Sequence, residues 1–235
     1  MGLGAGARFT WLGHSTFLVE TPGRKNLLVD PWVAGNPACP PRLKKLPKLD
    51  ALLVTHGHFD HLGDAVDLAK EHGCPVVCCY EIACWLKRKG VETSLEMNKG
   101  GTVEVAGVRA TMVSADHSCG IADGDAILYG GGAAGFVVTL ENGYRFYHAG
   151  DTNVFGDMAL IGQVYKPDLA LLPIGGLYTM GPLEASHAVR LLGVRKVVPM
   201  HFGTFPALSG KPEDLRDLCG SRVEVFDLRP GDSLE

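Results

Sequence analysis

Short apolar runs separated by glycine and proline turns set the rhythm of this chain. Arg8 to Leu12 and Thr16 to Glu20 read as two short strands around Gly13-His14-Ser15, and Asn26 to Val29 adds a third after the Pro22-Gly23 turn, predicting an opening β-meander. Residues 37 to 47, rich in proline and lysine, read as an irregular surface excursion. Ala51 to Thr55 has the length and β-branched ending of a buried strand. Helices are predicted at Asp64 to His72 and Glu81 to Lys89, stopped by Gly73 and Gly90, with a strand at Val76 to Cys79 between them. Strands follow at Thr102 to Val105 and Val108 to Ser114, and Asn142-Gly143 marks a hairpin between Phe136 to Leu140 and Tyr144 to Ala149. The last third alternates: helix Asp157 to Tyr165, strand Asp168 to Leu172, helix Pro182 to Leu192, strand Lys196 to Met200, helix Pro212 to Cys219, strand Val223 to Phe226. Cys119 to Ala134, with Gly130-Gly131-Gly132, lacks the strand-then-helix setting of a phosphate-cradling loop and reads as a mobile flap or wall near a site. Strands first, then alternating helices, then the same again imply two sheets packed face to face with helices outside, in one domain spanning residues 1–235.

The chemistry sits where the apolar runs stop. Leu52-Leu53-Val54-Thr55 ends in His56-Gly57-His58-Phe59-Asp60-His61, and a loop with that many imidazoles and a carboxylate needs a common partner. A divalent cation satisfies all of them, and imidazole with carboxylate suits zinc, manganese or iron. Three further strand ends carry His117, Asp151 and His201. Loops leaving the same edge of a layered α/β fold converge on one rim, so seven side chains can meet in one cleft and hold two metals. Asp30 ends the third strand and is placed to accept a hydrogen bond from a ligating imidazole. His14 is either a turn residue or a group aimed into the pocket. His148 lies on a strand and reads as a core imidazole with a backbone partner, while His72 and His187 fall in helices and read as structural or exposed.

Composition narrows the class. A formal net charge of -4 with 20% charged residues gives no basic footprint for nucleic acid. No apolar stretch approaches the roughly 20 residues of a membrane span. The start, Met1 to Ala7, lacks the pattern of a secretory signal, so a cytoplasmic location is expected. Seven cysteines form no C-x-x-C pair and read as buried reduced thiols.

The spacing H-x-H-x-D-H after a strand resembles the signature of the metallo-β-lactamase fold superfamily. Trp11-Leu12-Gly13-His14-Ser15, Tyr147-His148-Ala149-Gly150-Asp151-Thr152, Pro173 to Pro182 and Pro199 to Pro206 more narrowly resemble its bacterial and archaeal branch of metal-dependent hydrolases. That branch looks related to ascorbate-6-phosphate lactonase and to the N-acyl-phosphatidylethanolamine phospholipase D type. The resemblance implies a four-layer αββα sandwich of two mixed sheets. It also implies a first metal on His56, His58 and His117, a second on Asp60, His61 and His201, and Asp151 bridging them, zinc being the expected metal. Histidine at position 58, where the diiron oxygen-reducing branch usually has glutamate, favours hydrolysis over redox chemistry.

The expected reaction is attack of a metal-bound hydroxide on a small ester, lactone or phosphodiester. Asp60 orients the nucleophile in this scheme. Tyr178, His14 and the backbone at the Pro182 helix start are candidates for an anionic substrate group or an oxyanion. Phe202 and Phe205 read as pocket wall. The expected partner is a small molecule, an anionic one included, rather than nucleic acid or membrane, and assembly into a homo-oligomer is allowed. Two other readings are a metal-stabilised binding or scaffold protein without turnover and a nucleic-acid-processing hydrolase of the same fold.

Overall fold

The computed structural model describes residues 2–235. Strands β1 (Arg8–Trp11), β2 (Phe17–Glu20) and β3 (Asn26–Val29) form the meander, followed by β4 (Ala51–Leu53), the single turn α1 (Phe59–Leu62), α2 (Ala65–His72), β5 (Val76–Cys79), α3 (Tyr80–Arg88) and β6 (Ser94–Met97). The second half runs β7 (Thr102–Val105), β8 (Val108–Ser114), β9 (Gly120–Asp123), β10 (Ala126–Tyr129), β11 (Ala134–Thr139), β12 (Arg145–His148), α4 (Met158–Tyr165), β13 (Leu169–Pro173), α5 (Pro182–Leu192), β14 (Lys196–Met200), α6 (Pro212–Cys219), β15 (Glu224–Val225) and β16 (Ser233–Leu234).

Two seven-stranded mixed sheets result, in the orders β16-β1-β2-β3-β4-β5-β6 and β15-β14-β13-β12-β11-β8-β7. Each has an antiparallel part and a parallel part: β3 to β6 in the first sheet and β12 to β15 in the second are parallel. Parallel neighbours need crossover segments, and this explains why helices and apolar strands alternate there in the sequence. The central strands β4, β5 and β13 are buried at every position, as strands covered on both faces must be. Phe9 of β1 packs edge-on against Phe146 of β12 with ring centroids 5.1 Å apart, so the two sheets meet through fully buried aromatics. Among the described residues, no helix is long and apolar enough to cross a membrane.

The departures from expectation have local causes. The strand predicted to Thr55 stops at Leu53, because the Thr55 N–H turns away to the Asp30 carboxylate at 2.8 Å. Ser94–Met97, unmarked in the sequence, is an edge strand of four residues in which Ser94 and Glu96 alternate with Leu95 and Met97, too short a run to carry a clear apolar signal. The segment 119 to 134, read as a flap, contains a paired hairpin, β9 on β10. Asp123 at its tip accepts hydrogen bonds from the Trp85 indole at 3.1 Å and Lys89 at 2.6 Å, which fasten it to α3. Strand β16 is equally silent in the sequence, since two residues give no period to detect.

Because Phe146 joins the sheets, Phe146→Ala is expected to lower the unfolding free energy by about 3–5 kcal/mol. Urea denaturation followed by circular dichroism measures this, and an unchanged midpoint would refute the role given to that contact.

Candidate metal centre

Asp30 organises the rim on which the site is built. Fully buried at the end of β3, its carboxylate accepts the Thr55 N–H and the Thr55 hydroxyl, each at 2.8 Å, and the His61 Nδ1–H at 2.7 Å. Since the Thr55 proton is given to a carboxylate, the same hydroxyl must accept from His56 Nδ1, 3.0 Å away. Asp30 thereby fixes the tautomer of His56 and the ring orientation of both imidazoles, turning Nε2 of each inward.

The inward-facing atoms fall into two groups, each with all its donor atoms within 4.8 Å of one another: His56, His58, His117 and Asp151 in one, and His14, Asp60, His61 and His201 in the other. Asp151 reaches both. Its Oδ2 lies 4.0 Å from His56 Nε2 and 3.7 Å from His117 Nε2, yet 3.0 Å from His201 Nε2, while Oδ1 lies 3.2 Å from His61 Nε2. The structure thus brings together all seven side chains expected to bind metal.

His14 enters the second group. Its Nε2 lies 2.8 Å from Asp60 Oδ2 and its Nδ1 3.0 Å from the Thr204 hydroxyl. Burial lowers its pKa to about 4, so a neutral ring donates from Nε2 to Asp60 and accepts from Thr204 at Nδ1. Buried and with both nitrogens engaged, His14 serves Asp60 in this arrangement rather than a substrate anion. Burial alone would raise the Asp60 pKa, but His14, His201 and His61 hold it well below the usual carboxylate range.

The imidazoles divide by charge. Burial holds His56, His58 and His117 below the ordinary histidine value, leaving them neutral at pH 7. Burial is the largest single influence on His61 and His201 and opposes their charge, but Asp151 together with Asp30 at His61, and Asp151 together with Asp60 at His201, outweighs it. His61 rises well above its ordinary value and His201 to about 9.

A divalent cation fits this donor set. His61 Nε2, His201 Nε2 and Asp151 Oδ1 are buried without an aligned hydrogen-bond partner. Leaving such groups unsatisfied costs about 1–3 kcal/mol each, more if charged. One cation would satisfy all three together.

The remaining candidates are placed as follows. His148 is buried, donating from Nε2 to the Ser15 carbonyl at 2.9 Å and accepting the Gly150 N–H at Nδ1, 3.2 Å away, so it is a core imidazole that carries the approach to Asp151. Tyr178 is exposed and lines the mouth of a cleft of about 790 Å³ that opens over both groups. At the start of α5 the Gly181 N–H is occupied by Glu184 Oε2 at 3.1 Å, which removes that donor from the candidates for an anion. His72 accepts the Leu49 N–H, and His187 is exposed. Phe202 packs against Trp11 with the rings tilted, and Phe205 lines the cleft. All seven cysteines are free, and one touches the site: Cys119 Sγ accepts the Gly57 N–H at 3.3 Å, holding the loop between His56 and His58. Thr55, Thr204 and Cys119 belong to the site without being legible in the sequence, where a lone hydroxyl or thiol beside a histidine gives no distinguishing signal.

Comparison with known proteins agrees with this geometry. Residues 25–202 match the beta-lactamase superfamily domain. The chain is 51% identical over 231 residues to a UPF0173 metal-dependent hydrolase of Koribacter versatilis, covering 97% of each protein. It is 54% identical over 223 residues to another from Solibacter usitatus, covering 94% of this chain and 96% of that one. Among solved structures, Igni18, a metallo hydrolase of Ignicoccus hospitalis, is similar with a TM-score of 0.86 and 34% identity, covering 97% of each chain.

Two outcomes are expected. Asp30→Asn, which puts an amide where three donors converge, should weaken metal binding about 10- to 100-fold in chelator competition. Ligation also requires His61 and His201 to lose protons they hold at pH 7, so metal loading should release about two protons per chain. Affinity should therefore rise with pH towards the His201 value of about 9. Calorimetry in buffers of different ionisation enthalpy reads the release; none at pH 7 would contradict the charge assignment.

Proposed function

The chain belongs to the beta-lactamase superfamily, among its UPF0173 metal-dependent hydrolases, and from that premise we infer that it cleaves a small ester, lactone or phosphodiester at a centre of two cations. The observation that carries this reading is the Asp151 carboxylate lying between two compact donor groups. His56, His58 and His117 would hold one cation and Asp60, His61 and His201 the other, with Asp151 shared. The nitrogen and oxygen donors favour zinc, with manganese and iron as alternatives. Bound cations lower the proton affinity of water and polarise the carbonyl or phosphoryl oxygen under attack.

The chain's own groups supply the rest. Asp60, kept anionic by its neighbours, accepts a hydrogen bond from the attacking water and so orients it. His14 acts as a positioning residue for Asp60, and Thr204 fixes the His14 tautomer. Tyr178 at the cleft mouth offers a hydroxyl donor to the substrate. A small molecule is the proposed partner, since the negative net charge does not favour nucleic acid. The free cysteines suit the reducing cytoplasm.

His117→Ala and His201→Ala each remove a donor from a different group. Each is expected to cost at least about 100-fold in kcat/KM, more than loss of a supporting partner does. Metal content, measured by plasma mass spectrometry, should fall from about two ions per chain towards about one. Unchanged turnover in either variant would overturn the assignment.

A further inference from the structure

The walls of the cleft differ in kind from its floor. The floor is the imidazole and carboxylate centre, with Asp60 and Asp151 its only acidic groups among the described residues. One wall is the β9–β10 hairpin and the other is the segment Phe205 to Leu208. None of the described residues lining the cleft is lysine or arginine. Apart from the centre itself, none of these residues offers a substrate a cationic side chain, and the walls are almost wholly apolar.

The hairpin wall has a clear inside and outside. Ile121, paired with Leu128, is buried in the core, while the neighbouring pair Ala122 and Ile127 faces the cleft. Period-2 alternation requires this division. Ile127 is 82% exposed and leans across Gly120, where a Cβ would come within 2.8 Å of Ile127 Cγ2. Asp123, held by Trp85 and Lys89, keeps the hairpin in place. A large aliphatic side chain is thus held, uncovered, above a polar reaction centre, with Phe59 and Tyr178 also exposed at the same opening. An apolar patch of this kind beside a reactive floor marks a ligand-binding surface.

We propose that the cleft takes esters whose acyl group is uncharged and apolar, a short alkyl or aryl acyl chain lying against the β9–β10 hairpin, and that Ile127 is the contact that sets this preference. The proposal rests on the hydrolase reading above. In the reaction the water oxygen bonds to the acyl carbon and the bond from that carbon to the ester oxygen breaks. One water proton goes to the departing alkoxide, giving an acid and an alcohol without any oxidant or second reactant. A carboxylate or phosphate on the acyl chain would have to enter the apolar walls without a cationic partner, and this is where discrimination arises.

The test compares 4-nitrophenyl butyrate with the mono-4-nitrophenyl ester of succinic acid, which has a carboxylate on an acyl chain of the same backbone length, on enzyme loaded with zinc, manganese or iron. The neutral ester should be favoured by at least about tenfold in kcat/KM, within the range a single pocket contact discriminates. Ile127→Glu should lose most of the butyrate activity, and Ile127→Lys should shift preference towards the succinate ester. A second readout needs no turnover: the neutral fluorophore N-phenyl-1-naphthylamine should bind the metal-free protein, and Ile127→Glu should weaken that binding about tenfold. Equal or better hydrolysis of the succinate ester by the parent protein would overturn the proposal and leave the hydrolase reading standing. No turnover of either ester with any metal, together with Ile127-dependent fluorophore binding, would support the apolar cleft and count against the hydrolase reading. If Ile127→Glu instead lowers the oligomeric mass and leaves selectivity unchanged, this face belongs to a second copy of the chain and the proposal fails.

Discussion

A single buried carboxylate holds the rim together. Asp30 collects a backbone N–H, a hydroxyl and an imidazole N–H, and through the Thr55 hydroxyl its influence extends to a second imidazole. In a medium of low dielectric, a carboxylate without those donors would be too costly to bury. The donors in turn lose their freedom to rotate, which sets the direction of His56 and His61 before any cation arrives. Asp30 itself has φ 51, a left-handed conformation that a non-glycine residue adopts at a cost, and its hydrogen bonds offset that cost.

The two sheets are then tied to each other at the same end. The His14 carbonyl, in the β1–β2 turn of one sheet, accepts the Trp11 indole N–H at 2.9 Å and the His201 N–H, from the end of β14 in the other, at 3.0 Å. His148 makes a second tie by donating to Ser15. Both ties run between residues that bear or adjoin the donor groups, so relative movement of the sheets would displace the groups themselves. Gly150 shows how little slack remains: with φ 62, a Cβ there would come within 2.7 Å of the Ala134 carbonyl and 2.8 Å of Thr55 Cβ. Only glycine lets β12 hand over to Asp151 at that distance from the Asp30 network.

Rigidity on the floor and apolar surface on the walls divide the work of the site. Buried groups with opposed charge preferences, neutral at His56 and His117 and cationic at His61 and His201, surround one shared anion. A cation bound there would take the place of the protons on His61 and His201. The hairpin, by contrast, contributes shape and apolar area. Because its tip is pinned by Asp123 to a different element from those that carry the donors, the wall can vary in its side chains without disturbing the centre.

The chain's alternating apolar runs determined the strands and helices of the parallel regions closely, since crossover helices and doubly buried strands are long and strongly patterned. The strand ends at residues 30, 56 to 61, 117, 151 and 201 also announced the donors, because imidazoles and carboxylates gathered where apolar runs stop need a shared partner to be buried at all. Short edge strands and the hairpin at 120 to 129 stayed hidden because their pairing, rather than their composition, makes them strands. Only the folded chain decided that His14 turns towards Asp60, that Thr55 and Cys119 steady the histidine loop, and that Ile127 overlooks the centre. Those contacts join residues far apart in sequence through single hydrogen bonds or one exposed side chain. Local periodicity carries no trace of them, because each depends on where two sheets happen to bring their ends together.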